Sequence, residues 1–510
     1  MVNSLTLADI VDHNCETRPN EVWLISPETG QVLTWKEVSK RVKNFSELLN
    51  SFGIKEGSSV AVASQNCIAS CIAFIGISYS AFKATPLNLV AGSKSMRYVI
   101  EHSETELIFV TQDCMHLVNE AISSLKRDIK IIEMHPENGP IVNKLLKNKH
   151  RLKHVRPNPD DEALLMYTSG TTGNPKGVLL SHQNLIAAGR NVINAHDIKQ
   201  EDVALCVLPI YHINGLCVTV MGTLISASGL VMPYKFSNNQ FWRQVNNYRC
   251  SWFSAVPTLF AYLLNSKVLP KLDKDRIRFA RSASAPLSPE IHRQFEKRFG
   301  IPIIETMGLT ETGAQILSNP LPPMTRKIGS PGIAIGNEVM IGNENQDELP
   351  LNVTGEILVR GENVMIGYLK QPLETSEVLC SDGWLRTGDL GYMDKDSFVF
   401  VTGRIKELIL KGGENIAPRE VDEVLLEHRS VLEAAAFSMP SKIYGQTVGA
   451  CIILKSKNNV SETELISHCH KRLGKFKSPD KIYIMEDLPK GPSGKIQRMK
   501  LPDLVKSLKF

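Results

Sequence analysis

Between Tyr167 and Gly177 the chain reads YTSGTTGNPKG. Thr168, Ser169, Thr171 and Thr172 supply hydroxyl donors, while Gly170, Gly173 and Gly177 let backbone N–H groups come close to a ligand. Lys176 adds a positive charge. Close N–H groups, hydroxyls and one lysine are what it takes to wrap a polyphosphate and offset its charge. The loop lacks the G-x-x-x-x-G-K-[ST] order, which sets aside a GTPase-like reading. A Gly/Ser/Thr-rich surface turn is the plain alternative, and so specific an order of residues argues against it.

The loop resembles the phosphate loop of the AMP-forming adenylating enzymes, which include acyl-CoA synthetases, peptide-synthetase adenylation domains and beetle luciferases. The resemblance extends from about Leu33 to Leu501 through segments far apart in sequence. LPIYHINGL (208–216) is similar to the family's aromatic–His segment at the mouth of the acyl pocket, which implies that His212 gates the pocket or contacts the carboxylate. SASAPL (282–287) is similar to the turn lining the adenine pocket, with Ser284 and Ala285 against the base and Ser282 toward the acyl pocket. ETMGLTET (305–312) is similar to the segment closing over the nucleotide. It implies that Glu311, with Thr171, serves the magnesium ion, that Thr310 contacts phosphate, and that Gly308 borders nucleotide and acid alike. Met307 stands where the family usually has an aromatic residue, so any stacking on adenine is softer here.

RTGDLG (386–391) is similar to the ribose-binding turn, with Asp389 accepting from both hydroxyls. GRIKELILKGGENIAPREVDEVL (403–425) is similar to the interdomain hinge and the first part of the mobile C-terminal domain. It implies Arg404 on ribose or phosphate, Lys406 as the hinge residue, and a Gly412–Gly413 turn that admits the pantetheine arm of CoA. PKGPSGKIQR (489–498) is similar to the loop holding the catalytic lysine, here Lys495. A lysine suits the charge that gathers on the α-phosphoryl group in the transition state.

The implied reaction has two steps, with ATP, Mg²⁺ and coenzyme A as cofactor and co-substrates. A small-molecule carboxylic acid is adenylated with release of pyrophosphate, and the CoA thiol then displaces AMP. A stand-alone adenylation enzyme that loads a carrier protein is the alternative. Its amino-acid-specific forms usually need an acidic residue near the second segment, and Ile210 to Gly215 has none. We expect no fused carrier domain, since only 15 residues come after Lys495. A luciferase-like oxygenase and a catalytically dead nucleotide-binding regulator are further rivals; the presence of Lys176, Glu311, Asp389, Arg404 and Lys495 speaks against the latter. KFSNNQFW, CSWFSAVPT, RSASAPLSP and SNPLPP are similar to the branch holding oxalate–CoA ligases and related small- or medium-chain acyl-CoA ligases. GLT at 308–310 departs from that branch's usual Ala-Met-Thr, so oxalate itself is not carried over. His212, Ser282 and Ser284 could bond a small polar acid, and Gly215 to Met232 could equally line an alkyl tunnel for a fatty acid.

The elements that must position these residues are those of an α/β protein. A composition 43% hydrophobic and 22% charged can bury a core, and 510 residues exceed one ordinary domain. In the first third, a capping box at Thr34 and Glu37 opens a helix ending at Gly53, Ser59–Ala63 reads as a strand, and Asn66–Phe82 as an apolar helix. This alternation predicts parallel sheets covered by helices. Ala163–Tyr167 and Val178–Leu180 read as strands flanking the phosphate loop, and Ser181 as the cap of a helix beginning near Asn184. Residues 329–400 turn to short β runs, which predicts a small antiparallel sheet or barrel. From Arg404 the style is α+β. We therefore expect residues 1–403 to bind ATP and acid, and 404–510 to form a small mobile domain carrying Lys495.

Net charge is +5, and from Arg404 onward there are 19 basic against 13 acidic residues, a surface suited to the CoA phosphates. Neither this modest excess nor any motif points to nucleic acid. The ten cysteines show no paired spacing, and MVNSLTLADI lacks a basic stretch followed by an apolar one, so we expect a reducing cytoplasm. Gly215 to Met232 is uncharged but has Thr and Ser within it and no basic flank; we expect a buried helix and no integral membrane segment. A homodimer stays open.

Overall fold

The computed structural model describes residues 5–142, 155–168, 174–266, 272–273, 276–455, 460–490 and 496–507. Two large sheets carry most of it. The eight-stranded one centres on parallel strands: Ser59–Ala63 lies between Lys83–Pro86 and Leu107–Thr111, with Lys130–His135 beyond the latter. Its other half is the antiparallel hairpin Glu162–Thr168 and Lys176–Ser181, whose connection is the predicted phosphate loop. The nine-stranded sheet runs parallel through Val203–Leu205, Trp252–Ala255, Phe279–Ser282 and Ile303–Leu309, then turns back antiparallel at Ala314–Ser318. The parallel strands are almost wholly buried, as expected when helices cover both faces.

Local chemistry explains the helices that hold these sheets. Thr34 caps Trp35–Ser51 through a reciprocal bond with Glu37, and Phe45, Val42, Val38 and Leu49 fall on its buried side. Ile68–Tyr79 is apolar all round and buried at every position, as a helix between layers must be. Ser181 caps His182–His196, again with a capping box, to Asn184.

The stretch expected to be one helix from Gly215 to Met232 is buried but divided. Asn214–Val220 is a π-helix, Met221–Ser226 an α-helix, and Gly229–Val231 a strand of the nine-stranded sheet. Ala227, at φ 55°, reverses the chain between them. Thr219 and Thr223 back-bond to carbonyls four residues earlier, which satisfies hydroxyls in an apolar interior.

The β-rich segment is a four-stranded antiparallel sheet, Glu338–Gly342, Gly355–Arg360, Leu385–Met393 and Val399–Arg404. Among the described residues it does not close into the barrel held open as an expectation, because Val399 at its edge bonds Gly332 rather than the opposite edge strand. Beyond Arg404 a separate core gathers Ile409, Val421, Leu425, Ala436, Ile452 and Leu465 beneath Pro418–Glu427 and Glu462–Lys477. Its main framework is the antiparallel pair Val431–Ser441 and Gly445–Leu454. Among the described residues no helix is long and apolar enough to cross a membrane.

Candidate active site

Thr168 and Lys176 face each other as the last pair of the hairpin, so the sheet fixes both ends of the phosphate loop. Ser169, Gly170, Thr171, Thr172 and Gly173 lie outside the described residues. Lys176 Nζ stands 4.6 Å over the ring of Tyr368. Tyr368 is on the short strand Gly367–Tyr368, which pairs with Val178 and Leu179 of the hairpin. Its hydroxyl donates to Glu311 Oε1 at 3.0 Å. Burial, with Glu311 adding to it, pushes the Tyr368 phenol well up, so it stays a donor. Lysine, tyrosine and carboxylate from three distant segments thus meet at the mouth of the loop.

Glu311 sits in the single turn Thr310–Thr312 at the end of Ile303–Leu309. Its own carbonyl accepts from Met365 N at 2.8 Å, which ties this turn to the segment before Tyr368. Gly308 is placed by close approach: a Cβ there would lie 1.5 Å from Ala314 O, so no other residue fits the strand reversal. Met307, half-buried, packs on the central core.

Asp389 and Arg404 are register partners on neighbouring strands, and Arg404 Nε lies 2.7 Å from Asp389 Oδ1. The Asp389 carboxylate beside it, with Glu407 and Glu311 further off, holds the Arg404 guanidinium above its usual value. Arg404 therefore joins the ribose candidate electrostatically to Glu311. The isolated turn Ile405–Glu407, with Lys406 exposed, leads out of this sheet.

On the acid side, Phe279–Ser282 ends at the turn carrying Ser284, whose φ is 73°. Asn214 Nδ2 donates to Ser284 Oγ at 3.1 Å. Ala285 is half-exposed beside it. Ser282 Oγ is buried with no partner among the described residues. His212 is half-buried, its ring 4.9 Å from that of Tyr211, and its backbone N–H donates to Pro209 O at 3.1 Å. The alkyl-tunnel expectation meets a packed segment: Leu216, Val218, Val220, Met221 and Leu224 all belong to the central core.

Gly412 and Gly413 form an exposed turn with φ of 57° and 90°, between the paired strands Ile409–Lys411 and Glu414–Ile416. Lys495 lies outside the described residues. The positions flanking its loop are tied, with Lys490 bridged to Ile496 and Gln497 N bonded to Pro489 O at 2.7 Å.

Tyr368 and Gln315 are absent from the candidates that the motifs supply, and Asn214 and Arg281 fall inside motifs without a role. Nothing local marks them: Tyr368 is 57 residues from the glutamate it bonds. Among the described residues no group of three or more His, Cys, Asp and Glu side chains is arranged to hold a metal ion. One carboxylate is enough where Mg²⁺ takes its remaining ligands from phosphate and water, and Glu311, with one oxygen on Tyr368, retains a second.

Known proteins match the chain over most of its length. The family model described as AMP-binding enzyme matches residues 11–369, and the AMP-binding enzyme C-terminal domain matches 420–495. Sulfoacetate–CoA ligase of Cupriavidus necator is 41% identical over 497 residues, covering 97% of each chain. Oxalate–CoA ligase of Saccharomyces cerevisiae is 34% identical over 512 residues, covering 94% of each. The ATP-bound structure of MatB from Rhodopseudomonas palustris superposes with a TM-score of 0.90 at 26% identity, covering 99% of both chains.

Proposed function

This chain belongs to the AMP-binding enzyme family and is an AMP-forming carboxylic acid–CoA ligase that uses ATP, Mg²⁺ and CoA; we propose, beyond that, a role for each site residue and a substrate class. One observation carries the assignment of roles: Lys176, Tyr368 and Glu311 converge at the phosphate loop beside the Asp389–Arg404 pair.

Lys176, with the hydroxyls from Thr168 to Thr172 and the N–H groups of Gly170 and Gly173, holds the β- and γ-phosphates. Asp389 accepts from the ribose hydroxyls, and Arg404 keeps that carboxylate oriented. Ser284, Ala285, Gly308 and Met307 border the base. Glu311, with Thr171, would hold the magnesium ion, which when bound supplies charge neutralisation across the phosphates. Tyr368 orients Glu311 by donating to one of its oxygens, which leaves the other for this duty. Thr310 contacts phosphate. The substrate carboxylate attacks the α-phosphorus in line, pyrophosphate leaves, and Lys495 stabilises the charge on the α-phosphoryl oxygens. His212 stands at the acid's entrance. The CoA thiol then attacks the acyl carbonyl and AMP leaves.

We place the two working units at 1–403 and 404–510, with rotation about Lys406 exchanging Lys495 for the Gly412–Gly413 turn between steps. The relatives named for sulfoacetate and oxalate point to a small acid with a second acidic group. The polar residues at Asn214, Ser282 and Ser284 favour that class over a fatty acid. Ten free thiols fit a cytoplasmic location.

The test is pyrophosphate release with Mg·ATP over a panel of carboxylic acids, with and without CoA, and with Lys495→Ala as control. Release that depends on an acid and fails in the variant supports the roles. Release that needs no CoA and yields no thioester with it would redirect the second step to a carrier protein.

A further inference from the structure

Arg281 lies in the middle of the nine-stranded sheet and is 1% exposed. No carboxylate pairs with it among the described residues, and burial alone lowers its guanidinium to about 9, so it remains charged at neutral pH. A buried cation without a counter-charge is costly, and proteins rarely keep one without a use. Its hydrogen-bond partners are all neutral. Nε donates to Gln315 Oε1 at 3.0 Å, and Nη1 to Asn214 Oδ1 at 3.0 Å and Ser254 Oγ at 3.1 Å. Nη2 makes no hydrogen bond among the described residues. Gln315 Oε1 also meets His196 Nε2 at 3.1 Å, and the Gln315 amide N–H₂ is buried and unpartnered among the described residues. His196 is held neutral, down to about 3, by burial and by Arg281 itself, so it adds no second positive charge and supplies no counter-charge.

This positive, donor-rich cluster is linked to the mouth of the acid site. Asn214 accepts from Arg281 with its oxygen and donates to half-exposed Ser284 with its nitrogen. Asn214 is two residues from His212, and Gln315 is the register partner of Gly308. The missing component is an anion.

We propose that Arg281 is the specificity residue that receives the second anionic group of the acid, a carboxylate or sulfonate remote from the carboxylate that is adenylated. The inference rests on the ligase reading. In a ligand-free chain, Asn214, Ser254 and Gln315 hold the guanidinium in place through Nε and Nη1. The acid's remote anion takes Nη2 and the Gln315 amide. A monoanionic acid leaves the buried cation without a counter-charge and is rejected.

The test uses the full chain with Mg·ATP and CoA. Sulfoacetate, oxalate and malonate are compared with acetate, propionate and hexanoate in wild type, Arg281→Met and Arg281→Lys. The ratio of kcat/KM for dianionic over monoanionic acids should fall by about 100-fold in Arg281→Met and recover in part in Arg281→Lys, with KM for ATP unmoved. Equal loss for both classes, or a wild-type preference for monoanionic acids, would overturn the proposal while leaving the ligase reading intact. Silence with every acid would instead sink the ligase reading, and this one with it. Wild type alone supplies a second test that needs no variant to fold. Ethane-1,2-disulfonate should compete with the acid about tenfold better than methanesulfonate, and equal competition would count against Arg281.

Discussion

At the scale of single residues, the proposed site divides one carboxylate between two duties. Glu311 gives one oxygen to Tyr368 and keeps the other, and the tyrosine is held as a donor by burial and by the glutamate's own charge. Glu311→Gln should keep the hydrogen bond from Tyr368 but lose the anion, lowering kcat by about 100-fold with a raised requirement for Mg²⁺. Steady-state rates over a magnesium titration check this; an unchanged magnesium dependence would remove Glu311 from the role. Asp389→Asn keeps an acceptor but leaves Arg404 without its nearest counter-charge. We expect KM for ATP to rise about tenfold or more, since hydrogen bonds to a charged group are worth roughly 1.5–3 kcal/mol, while the acid's KM stays put. Deoxy-ATP should show a smaller loss in the variant than in wild type. The phosphate loop, Glu311 and Asp389 could be proposed from sequence because each motif is contiguous. Tyr368 and the Asn214–Arg281–Gln315 cluster could not, because their partners are brought in by sheet order.

At the scale of elements, sequence pattern and structure agree where periodicity and capping are local. The helix at Trp35–Ser51 and the hairpin around the phosphate loop are where hydrophobic spacing and turn residues put them. The stretch after His212 is not one helix because Asn214 is held by Ser284 and Arg281, which starts the segment as a π-turn, and because Ala227 turns the chain into a strand. Helix docking carries its own pH dependence. Leu7 N, at the start of Leu7–Thr17, donates to His182 Nδ1 at 3.2 Å, at the start of His182–His196. Burial depresses His182 from 6.5 to about 4. A depressed value means that the unfolded chain takes up the proton first. The stability this group confers is complete above pH 6.5 and is lost as pH falls from there toward 4. His196, depressed to about 3, acts in the same direction. Melting temperature should therefore drop between pH 7 and 5, and His182→Gln should flatten that slope. Parallel slopes in calorimetry would show that His182 does not contribute.

At the scale of the whole molecule, the central core and the core beyond Arg404 are connected along the chain by Arg404 and the exposed turn at Lys406. If rotation there exchanges the two half-reactions, Lys406→Pro should leave a single burst of pyrophosphate while slowing thioester formation by about tenfold or more, because proline fixes φ at the pivot. Rapid-quench measurement of both products checks this, and equal slowing of both would argue against a hinge. The sequence by itself determined the family, the cofactor chemistry and the order of the motifs, because adenylation needs particular residue types in short contiguous runs. The tertiary structure decided which side chains meet. Sheets join strands far apart in the chain, so the lysine, tyrosine and glutamate at the phosphate loop become neighbours only when Gly367–Tyr368 joins the hairpin edge as an antiparallel strand. Arg281 likewise stands without a counter-charge among the described residues because the strands Trp252–Ala255 and Ala314–Ser318 and the helix opening at Asn214 bring serine, glutamine and asparagine to its guanidinium. Burial and charge balance are properties of that packing, and no local pattern encodes them.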